Sequence, residues 1–122
     1  MRQSSIPKTH ARGWPRPPHA LPHNRLAEPP AGALVTVAGL VLVRQRPGTA
    51  KGVIFLTLED ETGISNIVVW EKVYERYRRA VVAGRLLRVT GHVQREGMVV
   101  HIVARKVEDI SGMLDELLRA GR

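Results

Sequence analysis

The chain has 122 residues, 43% of them hydrophobic, a net charge of +8, a pI near 11.0 and no cysteine. That length limits it to one domain, and the missing cysteines exclude disulfide frameworks, thiol catalysis and cysteine-ligated zinc. The positive balance favours polyanionic partners, nucleic acid ahead of an anionic surface, and no apolar run approaches the roughly 20 residues of a membrane span.

Composition divides the chain. Seven of the eight prolines (Pro7, Pro15, Pro17, Pro18, Pro22, Pro29 and Pro30) fall before residue 31. Arg2, Lys8, Arg12, Arg16 and Arg25 outweigh Glu28 there, for a net of +4, and the rest of the chain supplies the other +4. Such a segment buries too little apolar surface to offset its ordering entropy, so residues 1–33 are predicted to be a disordered basic, Pro-rich tail. Its arginines loosely suit an organelle transit peptide, but its prolines break the amphipathic helix such a peptide needs. The expected location is cytoplasmic.

Strand one is predicted from Leu34 to Gln45, nearly continuously apolar, with Gly39 at a bend or bulge. Arg46-Pro-Gly-Thr-Ala-Lys-Gly52 is a loop. Strand two (Val53 to Glu59) alternates: Leu56 and Leu58 face one way, Phe55, Thr57 and Glu59 the other. Asp60-Glu-Thr-Gly63 supplies a hairpin turn. In strand three (Ile64 to Trp70), Ile67 and Val69 read as inward, while Asn66, Val68 and Trp70 share the other face. A helix over Glu71–Val82 follows, striped by Trp70, Val73, Tyr74, Tyr77 and Val81 and capped by Gly84. Strands four (Arg85 to Gln94) and five (Met98 to Val107) are joined through Arg95-Glu-Gly97. Ser111 is expected to cap a short amphipathic helix carrying Met113, Leu114, Leu117 and Leu118.

Three strands, a helix and two more strands make an all-β fold, a five-stranded OB barrel plugged by the helix between strands three and four. The expected units are the tail (1–33), a nucleic-acid-binding OB domain (34–110) and the C-terminal helix (111–122).

In such barrels the ligand groove crosses strands two and three between the first-second and fourth-fifth strand loops. The loops offer Arg44, Arg46, Lys51 and Arg95 to phosphates, a contact blind to sequence. Phe55 offers a stacking platform, Asn66 a hydrogen bond to a base edge, and Thr57 and Val68 the floor. The competing reading places Phe55 in the core and leaves the cations as solvated surface. Glu59, Asp60 and Glu61 are adjacent on a strand end, point in different directions and read as turn chemistry rather than a metal site. His92 and His101 lack a third ligand and read as surface. No nucleophilic triad or activated lysine stands out, so no catalytic residue, metal or cofactor is assigned.

Beyond the barrel pattern, long strings resemble one family. Val35 to Phe55, Thr57-Leu-Glu-Asp-Glu-Thr-Gly63, Val69-Trp70, Gln94-Arg-Glu-Gly97 and Val99-Val-His101 are similar to the C-terminal OB domain of bacterial error-prone DNA polymerases, relatives of the replicative polymerase III alpha subunit. The likeness covers roughly residues 34–118 and leaves residues 1–33 outside it. It implies a module holding single-stranded template DNA in damage-tolerant synthesis, and an intact protein many times longer. The family's palm carboxylates, fingers, thumb and phosphoesterase-like domain have no counterpart here, so the expected role is non-catalytic. The chain also resembles, more distantly, the anticodon-binding barrels of some aminoacyl-tRNA synthetases, in which residues matching Phe55 and Asn66 contact bases. Single-stranded DNA is thus the expected partner, with RNA or a polymerase accessory protein as alternatives and no membrane.

Overall fold

The computed structural model describes residues 20–46 and 52–120, with side chains through Glu116. β1 (Leu34–Gln45), β2 (Val53–Asp60) and β3 (Gly63–Trp70) lead into two short helices, α1 (Glu71–Arg76) and α2 (Arg78–Ala83). β4 (Leu86–Glu96), β5 (Val99–Asp109) and α3 (Ser111–Ala120) complete the chain. The strands form a closed barrel in the order β1-β2-β3-β5-β4. Among the described residues, only the β3–β5 contact is parallel. This is the expected OB architecture.

Closure depends on β1 serving two neighbours. Residues Leu34 to Leu40 pair with β4, and Leu40 to Gln45 pair with β2. At the changeover the backbones press together: a Cβ on Gly39 would lie 2.6 Å from the Glu59 carbonyl oxygen. Glycine therefore admits the close approach, while the bulge itself falls between Val41 and Val43. Strand alternation then fills the interior. Leu56, Leu58, Ile67, Val69, Val89 and Ile102 are all at most 1% exposed, and Phe55, Thr57, Asn66 and Val68 take the outer face.

The helical insert departs from expectation in two ways. It breaks at Tyr77 (φ −118°, ψ 32°) into α1 and α2. Val73, Tyr74, Tyr77 and Val81 still pack on the core, but Trp70 leaves the stripe and is 53% exposed. Gly84 is no left-handed cap, because its backbone is extended (φ −66°, ψ 136°). A side chain there would meet the Ala80 carbonyl oxygen at 2.7 Å and the Leu87 side chain. Crowding, not turn geometry, selects the glycine.

Of the predicted tail, residues 1–19 lie outside the described residues, and the remainder packs against the barrel. Ala20–Ala33 is an ordered arm. Leu21 donates its N–H to the Thr36 carbonyl (2.6 Å) and Gly32 to that of Val93 (2.7 Å). A one-turn 3₁₀ helix, His23–Arg25, presents Leu26 to the core cluster. Leu21, His23 and Leu26 are too few for a periodic signal, yet they suffice to anchor the arm.

His23 docks into the β2–β3 turn. Its N–H donates to Asp60 Oδ2 (3.0 Å), and its Nδ1 lies 3.1 Å from the Gly63 carbonyl oxygen. Asp60 Oδ1 accepts the Thr62 N–H (2.7 Å), the Thr62 hydroxyl (2.6 Å) and the Gly63 N–H (3.0 Å). Burial pushes this carboxyl up, but those hydrogen bonds outweigh it and hold the group below its ordinary value. Glu59 instead points outward and is exposed, so alternation separates the adjacent acids as expected.

Ser111 does not cap its own helix. It donates its N–H to Asp109 Oδ1 (2.9 Å), while its Oγ accepts the N–H groups of Arg85 (3.0 Å) and Leu86 (3.2 Å). The serine thereby ties the start of α3 to the start of β4. The side chains of Leu117 and Leu118 lie outside the described residues.

Candidate nucleic-acid interface

Strand register arranges the outer face in rows. One row is largely apolar: Gln45 of β1 faces Phe55, Phe55 faces Val68, and Val68 faces Val103 of β5. The next row is polar except at its β1 end. Val43 faces Thr57, Thr57 faces Asn66, Asn66 faces His101, and His101 faces Gln94 of β4. Neighbouring strands stand about 4.8 Å apart, so the four polar side chains form a continuous line of donors and acceptors. Phe55, Thr57 and Asn66 are half-buried, and Val68 is covered at 7% exposure. These four residues lie together on the outer face. Two residues past Val68, Trp70 adds a second aromatic on the same side.

The predicted phosphate contacts fare differently. Arg44 donates its Nε–H to the Val81 carbonyl (2.7 Å) and a second N–H to that of Gly84. It closes the C-terminal end of α2, whose last carbonyls have no helical partner. Arg95 likewise donates to the carbonyls of Leu26 (3.4 Å), Ala27 (3.1 Å) and Pro29. Proline has no N–H and cannot sustain a ladder, so the arm's carbonyls need an outside donor. Both arginines thus hold backbone carbonyls in this structure. Lys51 lies outside the described residues.

Arg46 remains available. It is exposed, and its guanidinium lies 4.8 Å from the centroid of the Tyr74 ring, which Arg78 also approaches at 5.2 Å. Contact through the ring face leaves the guanidinium N–H groups free to donate. Arg46, Tyr74 and Gln45 border a recess of about 190 Å³ at the β1 side of the face.

Sequence reasoning missed the β5 and β4 share of this outer face: His101, Gln94 and Val103. The spacing of Val99, His101, Val103 and Arg105 already carried the signal. What strand alternation could not supply was the neighbour of β3, because β5 arrives from a distant part of the chain.

A family model described as an OB-fold nucleic acid binding domain matches residues 35–110. The chain belongs to this family. The resemblance to error-prone DNA polymerases holds as well. The chain is 61% identical over 103 residues to the error-prone DNA polymerase of Ruegeria pomeroyi, covering 84% of this chain and 9% of that protein. It is 58% identical over 97 residues to error-prone DNA polymerase 1 of Rhizobium meliloti, covering 80% of this chain and 9% of that protein. The chain therefore spans under a tenth of the length of these relatives. Among solved structures, asparaginyl-tRNA synthetase from Pyrococcus horikoshii is 31% identical with a TM-score of 0.56, over 66% of this chain and 20% of that one. A match of 103 residues in a chain of 122 starts no later than about residue 20, so the likeness extends into the Ala20–Ala33 arm instead of stopping at residue 34. Among the described residues, no helix is long and apolar enough to cross a membrane.

Proposed function

We propose that the outer face of β2, β3 and β5 binds single-stranded DNA, as a non-catalytic module for damage-tolerant DNA synthesis. The observation that carries this reading is the adjacency of the two rows. A base stacked on Phe55 over Val68 has its edge beside Thr57 and Asn66, so stacking and edge recognition act on the same nucleotide. Arg46 at the rim supplies charge for the backbone. The polymerase names of the relatives favour DNA as the polymer. Backbone charge and stacking dominate over base-specific contacts in this reading, so binding should be salt-sensitive and weakly selective for sequence.

Fluorescence anisotropy with labelled oligonucleotides tests this. Phe55→Ala should lower affinity by about 1–3 kcal/mol, roughly 5- to 150-fold, while the domain keeps its fold. Unchanged affinity would reject the groove. Matched DNA and RNA strands in competition decide the polymer, and preference for RNA would favour the role that the synthetase likeness suggests.

A further inference from the structure

Strand β5 breaks its alternation once. Ala104 and Val107 are buried, and the two residues between them, Arg105 and Lys106, are both exposed. The cause is a shift of register: Thr90 faces Lys106 while Gly91 faces Ala104, leaving Arg105 as an extra residue. A bulge of this kind puts two successive side chains on one side of the sheet. Gly91 permits it, because any side chain there would collide with the Val103 carbonyl.

Arg76 of α1 joins Arg105 and Lys106 around a pocket of about 380 Å³, which Tyr77, Thr90 and Leu34 also line. The neighbouring acid is largely committed elsewhere. Glu108 accepts two hydrogen bonds from Arg88, at 2.7 and 3.0 Å, and reaches Lys106 only at 3.8 Å. Among the described residues, no carboxylate pairs with Arg76 or Arg105. Arg76 lies 5.9 Å from the Tyr77 ring centroid, and Arg105 Nη1 lies 3.5 Å from His92 Nε2. Three cations thus converge on one concavity.

The pocket continues the groove. Arg105 stands two residues beyond Val103, and Val103 lies two strands from Phe55 through Val68. Two interstrand steps and one two-residue step give a separation on the order of 12 Å. That exceeds the reach of one stacked base and matches a strand running on across β5.

We infer that Arg76, Arg105 and Lys106 form a phosphate subsite, holding a backbone phosphate of the single strand beyond the nucleotide at Phe55. Guanidinium forks suit the two non-bridging oxygens of a phosphodiester, and the ammonium adds a point charge. The inference rests on the groove reading above.

The test is the salt dependence of oligo-dT binding by R105Q/K106Q, with R79Q on α2 as a charge control. Each phosphate contact on a single strand contributes about 0.7 to the slope of log K against log salt. The double variant should bind more weakly at low salt and lose about 0.7 of that slope, while R79Q keeps the wild-type slope. Neutral methylphosphonate linkages, introduced one at a time, should reveal a position that weakens the wild type but costs the variant nothing. A wild-type slope in R105Q/K106Q, or no such linkage, overturns the subsite while the groove stands. Wild-type protein that binds no oligonucleotide overturns both.

Discussion

Replacing Leu26 by alanine asks whether the arm belongs to the folded unit. Leu26 is 6% exposed and joins the same core cluster as Val37, Leu56 and Val89. The substitution removes three carbons from the interior, about 2.4 kcal/mol at roughly 0.8 kcal/mol per buried methylene. A cavity adds to that loss where neighbours cannot relax, and Leu→Ala changes in rigid cores cost about 2–5 kcal/mol. The arm can partly follow the shortened side chain, which places the expected loss near the lower limit, about 2–3 kcal/mol. Small domains have urea m values of about 1 kcal/mol per molar, so the midpoint should fall by roughly 2–3 M with m unchanged. In a melt the same loss lowers Tm by about 8–24 °C. A change under about 0.5 kcal/mol, the size of an ordinary surface substitution, would refute the packed arm and return the domain boundary to Leu34.

Other expectations follow from single contacts. Arg44→Gln should lower stability by about 1 kcal/mol in urea titrations through the lost cap on α2, yet leave the salt slope of DNA binding unaltered; a shallower slope would return Arg44 to the phosphate set. Gly39→Ala forces a Cβ against the Glu59 backbone and should cost about 1–3 kcal/mol or more by thermal melt; wild-type Tm would show that the two strands can separate there. The folded-state pKa of Asp60 is lowered from its ordinary 3.8, so its stabilising contribution is present above that value and lost as pH falls through the lower folded value. Glu108, held down by Arg88, acts in the same direction. Asp60→Asn should therefore flatten the decline in stability below about pH 4 in acid-titrated urea melts; an unchanged decline would assign the acid sensitivity elsewhere.

Features set by neighbouring residues were legible. The parity that turns Leu56 and Ile67 inward and Phe55 and Asn66 outward is local, and so is the turn chemistry of Asp60 to Gly63. Features set by distant partners were not. A guanidinium satisfies a phosphate or a carbonyl equally well, and nothing near Arg44 or Arg95 in the chain announces that the ends of α2 and the arm lack donors. Proline content hid the arm because Leu21, His23 and Leu26 are anchored by Thr36, Asp60 and the core. The β5 bulge escaped notice for a related reason: Ala104-Arg-Lys-Val107 looks irregular until Thr90 and Gly91 are placed opposite.

The carbonyl of Leu26 and the guanidinium that donates to it are 69 positions apart. At about 5–20 residues per second of translation, the leading segment waits roughly 3–14 s for that clasp to be synthesised. Until then Leu26 has no finished interior to enter, because its core cluster includes residues as late as Ile102 and Val107. A topology so dependent on remote partners belongs among slow folders, reaching its final state over milliseconds to seconds once the last strand is free.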